Sequence, residues 1–369
     1  MATGSDHAIN RESKIGVYEA VCWVAMMIVP KVMLTSPRDA LEAVGPSAWL
    51  MTSVSAGTAL LAFFLIYILA KRFPKDDLVS ILEKTCGRFL GGLISLIMAS
   101  LFFANGALVS REFVDMLKIF ALPMSPPGFL LALFGIGVAT LLYLGFETVS
   151  RTTSLFAAPL LVGLLAIILL AIPLYRPSFL TPIFGYGIDK TILVGISRSS
   201  AYGDIVALAF ISPTLQGVNH LRKSGIISLL ISGLLLALAF VSMSLLSPYF
   251  VAMENTVPML LVARSIEFGR FFQRFESIFM LIWAISSLLL VTVNLYLASN
   301  IYCKVFRIHD DRVMVLPMTV IFITIADFPR DMMVLTSNYI HGLRTYGWII
   351  YFGTPLLALL LAWIRRKQG

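Results

Sequence analysis

A lysine set beside a proline, partway along an apolar run, has more chemical potential than any other residue in this chain. Residues 15–43 read IGVYEAVCWVAMMIVPKVMLTSPRDALEA, and up to Val29 the only charge is Glu19. Pro30 removes an amide donor and clashes with the preceding turn, so a helix cannot pass through it unchanged. Lys31 adds an ammonium to the backbone groups that such a break frees. Within hydrocarbon this combination is tolerated only where protein or a water-filled cavity covers it. The stretch therefore reads as a broken transmembrane helix, the kind of element at which many transporters hold their ligands. Pro30, Lys31 and Val32 are candidate ligand contacts, with Lys31 facing a ligand carboxylate or standing in for a coupling cation. The alternative is that the break lies near the outer surface and Lys31 snorkels to the headgroups.

A second charged break is expected at Tyr202-Gly203-Asp204, in an apolar run that also contains Pro213. Asp204 suits three roles: acceptor for a ligand amine, partner of Lys31 across the bundle, or cap of a half-helix N-terminus. Arg111, Glu112 and Asp115 form a third charged group. Arg111 and Asp115 are four residues apart, share a helix face and can pair, so the cluster reads as structural. Glu19 is either a proton or ligand site or a residue of the inner interface. Gly106, Tyr202, Gly203 and Ser286 join the candidate ligand set by their position beside the breaks, although Ser286 and Ser287 also suit bonds to their own helix backbone. The sequence contains no nucleophile–base pair, phosphate loop or metal-ligand set, so no catalytic residue, metal or cofactor is assigned and no enzyme activity is expected. Cys22, Cys86 and Cys303 are isolated, without disulfide or metal spacing.

The elements that must position these groups follow from composition. Of the 369 residues, 59% are hydrophobic and 13% charged, and mean hydropathy is +0.90. A soluble domain would carry about 25% charged residues. The fold class is thus an all-α integral membrane protein in the lipid bilayer, and the net charge of +8 reads as a topology signal, not as a nucleic-acid surface. Residues 1–14 read as a cytoplasmic tail and 15–369 as a single transmembrane domain. Apolar runs of spanning length are expected at 15–43, 48–70, 89–120, 128–144, 155–174, 201–218, 226–246, 275–305, 313–326 and 348–363, with an amphipathic surface helix at 76–87. Lys71, Arg72, Lys75, Arg222, Lys223, Arg365, Arg366 and Lys367 favour both termini inside; Arg264, Arg270 and Arg274 dilute that bias. The broken runs stand first in each set of five. That order is what an inverted pair of repeats predicts, about 15–175 and 199–364, with a site between them at the midplane.

Residues 257–290, VPMLLVARSIEFGRFFQRFESIFMLIWAISSLLL, resemble the signature of the spore germination permease family, the B subunits of nutrient germinant receptors. Pro258, Arg264, Ser265, Ile266, Arg274, Glu276 and Trp283 carry the likeness, and SREFVDMLKIFALP (110–123) and LGFETVSRTTSLF (144–156) extend it. The resemblance implies the amino acid–polyamine–organocation superfamily, a five-plus-five inverted repeat with helices one and six unwound. It further implies A-type and C-type receptor subunits as partners, the inner membrane of the dormant spore as location, and a small nutrient, often an amino acid, as ligand. Two departures stand out. Pro30 to Leu34 replaces the family's glycine-containing stretch, and Asp204 stands for its usual glutamate, so ligand identity does not carry over and Lys31 can fill the space a ligand amine takes elsewhere.

Three functions fit these residues. The leading one is a germinant-binding membrane subunit that signals germination from a midplane site between helices one, three, six and eight. The others are a secondary transporter of amino acids or amines and a channel-like or structural subunit.

Overall fold

Pro30 cannot donate a backbone hydrogen bond, and the helix approaching it ends at Ile28. This first helix, α1 (Val17–Ile28), starts where the Gly16 amide donates to Glu19 Oε2 at 2.9 Å. Glu19 thus closes the helix start. A 3-10 turn over Val29–Met33 carries the chain past the proline, Leu34 is extended, and α2 (Ser36–Val44) resumes. The computed structural model describes residues 14–267 and 275–365, except the Met332 side chain. Residues 1–13 of the expected tail, together with Arg270, Arg274, Arg366 and Lys367, lie outside that range.

The chain continues through α3 (Ala48–Arg72), α4 (Leu78–Cys86), α5 (Arg88–Phe120), α6 (Pro127–Tyr143) and α7 (Phe146–Leu170). The second interruption follows. Helix α8 (Ile188–Ser197) leads into a 3-10 stretch over Arg198–Val206, then into the single turn α9 (Ala207–Phe210). Nine residues of 3-10 helix is long for a geometry with poor hydrogen bonds and eclipsed side chains, and such runs mark hinges or strain. Next come α10 (Val218–Leu246), the short α11 (Tyr249–Glu254) and α12 (Pro258–Arg264), α13 (Phe275–Phe306) and α14 (Arg312–Asp327). The last span enters as α15 (Met332–Val334), widens into a π-turn over Leu335–Ile340 and continues as α16 (His341–Ile364).

Among the described residues, seven helical runs are long and apolar enough to cross a membrane. With α1 and the shorter α6 and α14, they make ten segments in two sets of five. The sets match in order: an interrupted helix, a long one, one of 33 or 32 residues, one of 17 or 16, and a long last one. Their packing matches too. Helix α1 packs on α10 as the second interruption packs on α3, and α1 on α7 as the second interruption on α16. An odd number of crossings per set places the second on the opposite membrane side, so the repeats are inverted. At the centre, α5 and α13 meet along their length. Asn105 and Asn294, near the middle of these equivalent helices, are buried and joined by a hydrogen bond of 3.1 Å.

Four spans differ from expectation, each because polar residues face protein or an aqueous end and not lipid. The sixth runs over 188–210, not 201–218, so Pro213 falls in the turn after it. The tenth begins near residue 332, not 348, because Arg344 is buried within the bundle and its charge does not end the helix. Helix α7 starts at Phe146, not 155, its first turns carrying an Arg151–Glu147 pair at 2.5 Å. Helix α10 starts at Val218, not 226, running through His220, Arg222 and Lys223.

The amphipathic helix α4 closes one end of the bundle. Asp77 caps it, accepting from the Ser80 amide at 2.8 Å, and also takes Lys304 Nζ of α13 at 2.5 Å. Arg365, after α16, donates to the Thr85 carbonyl at 2.7 Å. Burial alone would raise the Asp77 carboxyl, but Lys304 and the Ser80 donors outweigh it and hold the group below its ordinary value. A lowered folded-state value contributes stability above the unfolded carboxylate range, and the contribution is lost as pH falls through the folded value. Asp77→Asn is therefore expected to lower the melting temperature in detergent at neutral pH by an amount corresponding to roughly 1–2 kcal/mol. The gap to the unmodified protein should close on acidification below about pH 4.

Candidate functional site

The two helix breaks meet through one ion pair. Lys31 Nζ donates to the Asp204 carboxylate and to the Ala201 carbonyl, the latter at 2.8 Å. Lys31 is 2% exposed and Asp204 fully buried, so the lysine does not snorkel. The Ala201 carbonyl and the Asp204 carboxylate both belong to the second interruption, and Lys31 follows Pro30 in the first, so the pair joins the two breaks directly. A buried pair of this kind is held by geometry, because desolvation offsets most of its Coulomb attraction.

The surrounding wall is built by close contacts to the second and last helices of the bundle. The Tyr202 hydroxyl bonds Thr52 Oγ1 of α3 at 2.9 Å. Ser200 Oγ donates to the Arg344 carbonyl of α16. A Cβ on Gly203 would overlap the ring of Tyr351, so glycine is what lets the second break press against α16. The π-turn just before Arg344 widens the helix at that contact. On the other side of the first break, Glu112 of α5 accepts from the Thr35 amide and hydroxyl, both at 2.5 Å.

A small cavity of about 40 Å³ lies over the ion pair. Its wall includes Lys31, Val32, Asp39, Thr52, Arg198 and Arg344. That volume holds a few water molecules, whereas small-molecule pockets span several hundred Å³. The site is thus narrow in this arrangement of the bundle. Arg344 is 6% exposed and, among the described residues, its Nε has no hydrogen-bond partner, and neither do Asp39 Oδ2, Ser36 Oγ and Asp204 Oδ1.

Of the residues singled out from sequence, Lys31 and Val32 line this cavity. Asp204 holds Lys31 from behind, while Pro30, Tyr202 and Gly203 shape the wall without reaching the cavity. Gly106 lies away from it, against Asn294 of α13 and Phe322 of α14. Ser286 is buried on α13 with an unpartnered hydroxyl and is not part of the wall. The charge cluster divides. Arg111 pairs with Asp115 and Asp327, each at 3.0 Å, and ties α5 to the end of α14. Glu112, the next residue along the helix, faces the first break instead. Sequence reading missed Asp39, Arg198 and Arg344. Asp39 lies inside the first broken run itself; Arg198 and Arg344 lie in stretches whose charge makes them read as connections.

A family model described as "Spore germination protein" matches residues 14–331. Among curated proteins, spore germination protein KB of Bacillus subtilis (strain 168) is 25% identical over 257 residues, 68% of this chain and 69% of that one. Spore germination protein YndE of the same organism is 23% identical over 367 residues, 97% and 98% of the two chains. Among solved structures, a substrate-bound outward-open Na+-coupled sialic acid symporter superposes with a TM-score of 0.70, covering 95% of this chain and 82% of that one. At 11% identity that likeness concerns the fold.

Lys31 and Asp204 are expected to show strong non-additivity. Asp204→Asn, which leaves a buried ammonium without a counter-charge, should destabilise the protein by about 3–5 kcal/mol. Lys31→Met together with Asp204→Asn should recover most of that loss in a double-mutant cycle on thermal melts.

Proposed function

The chain belongs to the spore germination protein family, and from that premise we propose that it is the membrane subunit of a nutrient germinant receptor, binding a small molecule at the paired helix breaks. One observation carries this reading: a small cavity, lined by charged side chains, at the meeting point of two interrupted helices. Helix interruptions are costly in a bilayer unless the freed backbone groups are used, and their use at a ligand site is the recurring one. In this reading the ligand enters when the breaks part, and its affinity for one arrangement of the two repeats over the other shifts the balance between them. A-type and C-type receptor subunits in the spore inner membrane would read that shift.

A second reading keeps the site and changes the outcome. The superposition on a coupled symporter favours a transporter that releases the same ligand on the far side of the membrane. Reconstituted protein separates the two: a receptor binds labelled ligand without accumulating it, and a transporter fills the vesicles.

The shared claim is tested by thermal melts of the purified protein across neutral, acidic and basic amino acids, sugars and nucleosides. At least one class should raise the melting temperature saturably. Ala40→Leu, which fills the cavity from α2, should abolish that shift while leaving the ligand-free melt within a few degrees. A shift that survives Ala40→Leu would place binding elsewhere and contradict the proposal.

A further inference from the structure

The charges that the ion pair leaves over are uneven. Four charged side chains line the cavity: Lys31, Asp39, Arg198 and Arg344. Lys31 is neutralised by Asp204. Arg198 and Arg344 make no salt bridge and donate no side-chain hydrogen bond among the described residues, Asp39 acting on Arg198 only through space; Arg344 Nε is buried without an acceptor. Asp39, the one carboxylate of the wall, likewise keeps a buried oxygen unpartnered. Glu112 accepts both of its hydrogen bonds from Thr35 and does not line the cavity, so it acts on Arg344 only through space. Arg38 and Glu42, on the outer face of α2, pair with each other at 2.9 Å. What remains is two guanidinium groups and one carboxylate around one small space.

A guanidinium held out of water without a paired counter-ion, as Arg344 is, is unfavourable, and a cavity with room for a few waters does little to hydrate it. The planar fork of arginine matches a carboxylate with two parallel hydrogen bonds. The amine position, by contrast, is already taken within the protein, since Lys31 occupies Asp204. We infer that the cavity selects a small organic acid of net negative charge, its carboxylates held by Arg198 and Arg344. An acidic α-amino acid uses every group, with two carboxylates on the arginines and its ammonium on Asp39. A plain dicarboxylic acid uses the arginines alone. The inference rests on the reading of this cavity as the ligand site.

The probes are L-aspartate, L-glutamate and succinate against L-alanine and glucose, with affinity read from concentration-dependent melts of the intact purified chain. The acids should bind at least tenfold more tightly than alanine or glucose. Arg344→Gln and Arg198→Gln should each weaken the acids at least tenfold. Arg344→Gln removes an uncompensated buried charge, so its ligand-free melt should stay level or rise, and Arg198→Gln, at a half-buried position, gives a second variant. Asp39→Asn should weaken aspartate and leave succinate unchanged where the amino acid is the preferred form; indifference of both ligands to Asp39→Asn assigns the site to plain acids. Alanine or glucose binding as tightly as the acids, with both arginine variants indifferent, overturns the inference and leaves the ligand site in place. A melt unmoved by all five probes overturns the inference, and only silence across every ligand class removes the site as well.

Discussion

An ammonium buried in a lipid-embedded bundle must find its counter-charge inside the protein, and Lys31 finds it in Asp204. Around that constraint the rest of the molecule is arranged. Pro30 opens the first helix so that Lys31 can turn inward, and the 3-10 stretch at Arg198–Val206 opens the sixth so that Asp204 and the Ala201 carbonyl can receive it. Neither interruption is tenable alone in hydrocarbon, where an unmatched polar group costs several kcal/mol. Together they form a closed polar unit at the junction of the two repeats.

The scaffold around this unit is built from devices that limit its freedom. The long equivalent helices α5 and α13 cross at Asn105 and Asn294, a polar contact that fixes their register deep in the bundle. Tyr202, Ser200 and Gly203 fasten the second break to α3 and α16, while Thr35 ties the first to Glu112 of α5. At one end, Asp77 and Arg365 hold α4 against the ends of α13 and α16. The movable parts are thereby narrowed to the breaks themselves, where a few side chains on each repeat line one space. A receptor and a transporter need the same local chemistry here; they differ in whether the far side opens.

Much of the architecture was legible in the sequence, because membrane hydrophobicity is a strong signal and a proline beside a lysine is a rare one. The first break, the amphipathic α4 and the long helices α3, α5 and α13 all stand where the residues indicated. Boundaries failed where charge was taken as a sign of water. Arg344 lies inside the bundle, and Arg198 begins the second break, so both fell into segments read as loops. Helix α8 was lost with them. The candidate site was legible only along its central pair. Lys31 and Asp204 announce themselves as charges in apolar runs, and their pairing across the bundle is one of the three roles the residues left open to Asp204. Which of Arg111, Glu112 and Asp115 would face a helix break, and that Gly106 and Ser286 would pack elsewhere, depends on helix rotation, which pattern alone does not set.

Everything proposed for this molecule turns on the Lys31–Asp204 pair holding the two breaks together beside a narrow ligand cavity. That role is probed by the rate at which a water-soluble thiol reagent reaches Ala40→Cys, placed in the cavity wall of a chain whose three native cysteines have been replaced. Labelling should be slow with the pair intact and at least tenfold faster with Asp204→Asn. Equal rates in the two proteins would mean that the pair does not restrict access to the cavity, and the organising role given to it here would be wrong.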